Sequence, residues 1–154
     1  MRAGRYEEAA DAAARVIAFD PRAPRGHSTL GWANLKMGRH AEGLAELEQA
    51  VVLDPGNTLF LAQLGQAFAE VGRVTDARAV LRQLEQMSTQ RDVSPYHLAY
   101  VYVGLGEQDA ALDALERAFV ERAGAVYGIK NSFLFKPLYS HPRFVALLRK
   151  MNLA

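Results

Sequence analysis

Apolar side chains recur along this chain at steps of three and four residues. Leu44, Leu47, Ala50 and Val51 follow that rule, and so do Ala77, Val80, Leu81 and Leu84. Such spacing gathers the apolar positions into one stripe of a helix. Along the whole chain the pattern predicts helices over residues 6–19, 25–37, 40–53, 58–71, 74–87, 94–105 and 108–122. Residues 123–140 carry Gly124, Gly128, Pro137 and several aromatics, and read as irregular. Pro142 opens a last helix over 142–151, with Ser140 or His141 near its N-cap. No strand is needed, so the expected class is all-α.

The helices come in equivalent pairs. Gly4, Gly38, Gly72 and Gly106 are each 34 residues apart, and Ala9, Gly43, Ala77 and Ala111 follow five residues after them. Asp20-Pro21 and Asp54-Pro55 repeat at the same interval, as do Leu30-Gly31 and Leu64-Gly65, with Leu98-Ala99 in the equivalent place. Glycine tolerates the left-handed backbone that ends a helix, so these glycines read as turns between antiparallel helices. Small residues beyond each turn let the two helices approach closely. Asp-Pro closes the second helix of a pair, because proline lacks the backbone donor.

A 34-residue helix–turn–helix unit of this kind resembles the tetratricopeptide repeat family. The matching residues are Leu30, Gly31, Gly38, Ala50 and Pro55, then Leu64, Gly65, Ala67, Gly72 and Ala77, then Gly106, Ala111 and Ala118. Gly43 stands where alanine is usual, and Thr89 and Ala123 replace the terminal proline. The resemblance implies an α-solenoid of antiparallel helix pairs over residues 1–125: a half repeat at 1–23, then repeats at 24–57, 58–91 and 92–125. Residues 126–154 form a C-terminal capping segment and helix, with Phe133, Phe135, Leu138, Phe144, Leu147 and Leu148 covering the last repeat. The C-terminal part also resembles the repeat region of bacterial multidomain regulators.

Such an array stacks repeat on repeat, and the first helix of each lines a concave groove for a peptide. By the family's register that groove holds Arg25, Ser28, Trp32, Leu35 and Lys36, then Leu59, Gln66 and Glu70, then Tyr96 and Tyr100. Trp32, Tyr96 and Tyr100 are the expected aromatic anchors, since large rings with a polar tip dominate recognition surfaces. The positions of a carboxylate clamp for chaperone tails read Ser28, Trp32, Gln63, Val93 and His97, which lack the two cations such a clamp needs. The implied function is a non-catalytic scaffold for a protein or peptide partner. The alternative is a regulatory or oligomerisation module of a larger bacterial signalling or transcription-regulating protein. The 6–19 helix presents Tyr6, Ala9, Ala13, Val16 and Ile17 without its usual antiparallel partner. That face implies either a homo-oligomer through the N-terminal half repeat or an upstream extension.

Composition narrows the chemistry. The 154 residues include no cysteine, which excludes disulfides, thiolate metal sites and a cysteine nucleophile. His27, His40, His97 and His141 are scattered without metal-ligand spacing, and no phosphate loop follows a strand. Neither a catalytic site, a metal nor a cofactor is expected. No apolar run approaches the roughly 18 residues of a membrane span, and a cytoplasmic protein is expected. Net charge is +1, but residues 117–154 carry seven basic side chains and one acid. No recognition-helix motif accompanies them, so a solvated cap is expected rather than a nucleic-acid surface.

Overall fold

A computed structural model describes residues 3–121, 129–130 and 132–153, with Ala3 and Phe133 described by their backbone alone. Arg122, Ala123, Gly124 and Gly128, expected in a helix end and an irregular segment, lie outside the described residues. The chain runs through α1 (Ala3–Phe19), α2 (Pro24–Lys36), α3 (His40–Leu53), α4 (Thr58–Glu70), α5 (Val74–Ser88), α6 (Pro95–Gly104) and α7 (Gln108–Val120). A 3₁₀ segment (Phe133–Leu138) and α8 (Pro142–Lys150) follow. Among the described residues there is no strand, and the architecture is an all-α solenoid with a C-terminal capping helix.

The turns are built by local hydrogen bonding. Gly38, Gly72 and Gly106 have φ of 85°, 88° and 75°, a backbone that side chains resist. At each, two amides fold back onto the helix that has just ended. Gly38 N–H donates to Leu35 O and Arg39 N–H to Asn34 O; the pairs Gly72–Ala69 with Arg73–Phe68, and Gly106–Val103 with Glu107–Tyr102, repeat this. Asn152, at φ 59°, ends α8 in the same way. Gly4 differs from this set. It lies in the first turn of α1, which begins at Ala3 rather than near residue 6.

Glycine has a second use where helices cross. A Cβ on Gly43 would stand 2.7 Å from the Gly31 carbonyl, and one on Gly31 would stand 2.8 Å from the Gly43 carbonyl. The α2 and α3 backbones therefore touch. Gly65 meets Val80 of α5 and Val101 of α6, and Gly104 meets the backbone of Gln66 on α4. These contacts draw α2 onto α3 and α4 onto α5 and α6; α2, α4 and α6 stand side by side, with α3, α5 and α7 packed behind them. One apolar core runs from Trp32 through Leu47, Leu84 and Leu115 to Phe144 and Met151.

Polar side chains cross the seams between neighbouring first helices. Ser28 Oγ donates to Gln63 Oε1 at 2.5 Å, Lys36 pairs with Glu70 at 3.2 Å, and Thr58 Oγ1 shares a 2.7 Å bond with His97 Nδ1. Burial lowers the pKa of His97. Ser94 caps α6 by accepting from Tyr96 N–H, with Pro95 at the first helical position, and His141 caps α8 by accepting from Arg143 N–H. On the basic C-terminal segment, Arg143 binds Asp113 at 2.6 Å and Glu116 at 3.1 Å and fixes α8 to α7.

His27 ties the start of the array together. Its Nδ1 lies 2.6 Å from Glu46 Oε2 on α3 and its Nε2 lies 2.8 Å from Pro21 O in the turn after α1. Both partners accept, so this geometry favours the ring with both nitrogens protonated. Burial pulls its pKa down, but the bonds to Glu46 and Pro21 outweigh it, and the net shift is upward from 6.5.

Two outcomes are expected. Gly43→Ala, although alanine is usual in the family, lowers stability by about 1–3 kcal/mol in urea unfolding, because neither backbone can yield. A folded-state pKa raised at His27 means its stabilisation is complete below pH 6.5 and lost as pH rises through the folded value. Urea midpoints measured across that window should fall in the wild type, and fall less in His27→Gln.

Candidate binding groove

The side-by-side first helices present one wall, and the structure divides it into an open half and a filled half. In the N-terminal half a cavity of about 290 Å³ is enclosed by Tyr6 and Ala9 of α1, Arg25, Ser28 and Trp32 of α2, Leu59 and Gln63 of α4, and Leu134 from the 3₁₀ segment. Helical spacing accounts for the α2 set, since residues 25, 28 and 32 lie on one face. Its walls are mainly apolar, and Arg25 brings the one ionised side chain among them. Trp32 is 6% exposed, so it is a wall of the cavity and part of the core at once. The Lys36 ammonium lies 5.6 Å from the Trp32 ring centroid, and the Lys36–Glu70 pair borders the same face.

In the C-terminal half the wall is covered by the chain itself. Phe135 is fully buried and stacks on Tyr100, with ring centroids 5.0 Å apart at 24°, and lies 5.5 Å from Tyr96. Tyr100 OH donates to Tyr96 OH at 3.1 Å. Burial raises the pKa of both phenols. Gln66, also fully buried, donates from Nε2 to the Leu134 carbonyl at 2.9 Å.

The expected groove residues thus have three different situations. Arg25, Ser28, Trp32 and Leu59 meet at the open cavity, with Lys36 and Glu70 paired beside it. Gln66, Tyr96 and Tyr100 are on the same wall but lie under residues 132–138 instead of facing solvent. Leu35 is not on the wall. It packs against Gly43, where the missing side chain leaves room for it, and belongs to the α2–α3 interface. Sequence reasoning missed Leu134 and Thr29 as cavity residues. It grouped Phe135 and Leu138 with the cover of the last repeat; both are fully buried, and the 3₁₀ segment carrying them packs on α6, the first helix of that repeat.

Among the described residues no group of three or more His, Asp or Glu could hold a metal ion. No helix of the described residues is long and apolar enough to cross a membrane.

Comparison with known proteins accords with this architecture. Family models described as tetratricopeptide repeat match residues 1–58, 28–92 and 96–119. The BBSome complex member BBS4 homolog of Drosophila melanogaster is 31% identical over 67 residues, which is 44% of this chain. The match spans 14% of that relative's length. Repeats of this type generally mediate protein–protein interaction and typically sit in non-catalytic scaffolds. With helix pairs, glycine turns and family models in agreement over more than half its length, the chain belongs to the tetratricopeptide repeat family.

Proposed function

We propose that the chain is a non-catalytic scaffold that binds a peptide segment of a protein partner in the open half of its concave wall. The observation that carries the reading is the cavity of about 290 Å³ between α1, α2 and α4, lined by buried Trp32 and Ser28 with exposed Arg25 at its edge. An apolar side chain entering it removes surface from water at roughly 25 cal/mol per Å². Arg25 at the rim gives a carboxylate on the partner a charged anchor, which fixes register more than it adds affinity. That the Drosophila relative is a complex member supports a partner-binding role of this kind.

The test uses a random peptide display library panned on the intact chain, with the recovered peptides synthesised and titrated by calorimetry. Leu59→Ala should weaken them about tenfold, the scale of one apolar contact in a recognition surface. Gln108→Ala, on α7 behind the wall, should leave them unchanged. Peptides indifferent to Leu59 would sink the reading. Trp32→Ala is expected to lower stability by about 3–5 kcal/mol as well as binding, since the ring is core and wall together.

A second reading draws on α1. Phe19 is 93% exposed and Val16 is also exposed, a pair of apolar side chains on one helix. Self-association through α1 would appear in sedimentation velocity as a concentration-dependent dimer that Phe19→Ser disperses.

A further inference from the structure

We infer that the filled half of the wall, formed by Gln66, Tyr96 and Tyr100, is a recognition subsite for a partner segment bearing an aromatic side chain, and that residues 132–138 are its displaceable occupant. The inference rests on the concave wall being a peptide-binding surface, and it specifies what the second half of that surface recognises.

The first observation is the half-used amide of Gln66. Its Nε2 donates to Leu134 O, but its Oε1 is buried with no hydrogen-bond partner among the described residues. A primary amide offers a donor and an acceptor side by side, the pair that a peptide backbone complements with a carbonyl and an N–H. The 3₁₀ segment supplies only the carbonyl. The next amide, Phe135 N–H, is turned inward to Ser132 O at 3.2 Å. A partner segment whose corresponding N–H is free would satisfy both atoms of Gln66, which the chain's own turn does not.

The second observation is the shape of the slot. Tyr96 and Tyr100 stand edge to face, with ring centroids 5.2 Å apart at 78°. Phe135 enters and stacks on one of them. The slot thus accepts a flat ring, here carried on one short 3₁₀ segment. The third is continuity. Leu134 forms a wall of the open cavity while its carbonyl is held by Gln66, so the two halves adjoin at one residue. A partner anchored at Trp32 and Leu59 meets Leu134 next, and extending its contacts means replacing the tail. Gly104 keeps the subsite in register, because a side chain there would strike the Gln66 backbone at 2.9 Å.

The probe is a fluorescent peptide of the chain's own residues, SFLFKPL, titrated by anisotropy against the full chain. Phe135→Asp puts a carboxylate where none can remain unpaired, so the resident segment leaves the slot. That variant should keep its helical circular dichroism and bind the peptide about tenfold more tightly than the wild type. Adding Gln66→Met should weaken the binding about fivefold, the loss of one hydrogen bond. Gln66→Met alone should leave the melting temperature nearly unchanged, since removing the orphaned Oε1 offsets the Leu134 carbonyl left without its donor. An unfolded Phe135→Asp chain would overturn the inference, because residues 132–138 would then be integral core. So would a folded variant that ignores the peptide, or a Gln66→Met chain that melts earlier. Gln66→Met reads the Tyr96–Tyr100 half and Leu59→Ala the open cavity, so a failure at one and a failure at the other are separate results.

Discussion

The contact on which this molecule depends is backbone against backbone. Gly31 and Gly43 each lie where the other's carbonyl would meet a Cβ at under 3 Å, so α2 and α3 are as close as two helices can come. Gly65 and Gly104 extend the arrangement from α4 to α5 and α6. Close crossings fix both distance and angle, since interdigitated side chains leave little play. Side-by-side first helices are the result, and the wall they form exists because the second helices are held behind them. The seam bonds Ser28–Gln63 and Thr58–His97 then link one repeat to the next.

The two ends of that wall face different demands. At the C-terminal end an uncovered last repeat would leave α6 and α7 with their apolar faces in water. The cap answers with Ile129, Leu134, Phe135, Leu138, Phe144 and Leu147, all buried. Each such side chain contributes roughly 1.5–3 kcal/mol when fully buried. The Arg143 links to Asp113 and Glu116 lie on a side chain that is 35% exposed, where ion pairs are worth about 0–1 kcal/mol. Apolar burial therefore holds the cap, and Arg143 sets its orientation. The same links place one of the seven basic residues of this segment among acids, which tempers the local positive charge.

Much of the fold was legible in the sequence, because turns and crossings impose requirements on single residues. A positive φ at positions 38, 72 and 106 demands glycine, and the demand recurs with the repeat. The wall was legible only where helical register sufficed. Residues 25, 28, 32 and 59 reach one cavity because each is on the same face of its helix. Leu35 departs from the expectation because Gly43 leaves a hole on the other side, and register says nothing about a missing Cβ. The docking of residues 132–138 was legible as a cover on the last repeat, but not as a contact with its first helix. A segment with a proline and a 3₁₀ turn has no period, so its apolar residues announce burial without announcing the surface they are buried against.

Buried polar groups along this wall fall into two kinds. His27 has both nitrogens bonded, Ser28 is paired with Gln63, and Thr58 with His97. Each of these links two elements of the solenoid. Gln66 stands apart, because its Oε1 has no partner among the described residues, and it links an array helix to the tail rather than to another array helix. An unsatisfied buried acceptor costs about 1–3 kcal/mol, more than an exposed ion pair returns. A leucine or methionine would remove that acceptor, but only by leaving the Leu134 carbonyl without its donor. Departures from local optimum are expected where a surface must recognise something beyond its own fold. In this chain the departure falls beneath a segment that is not part of a repeat.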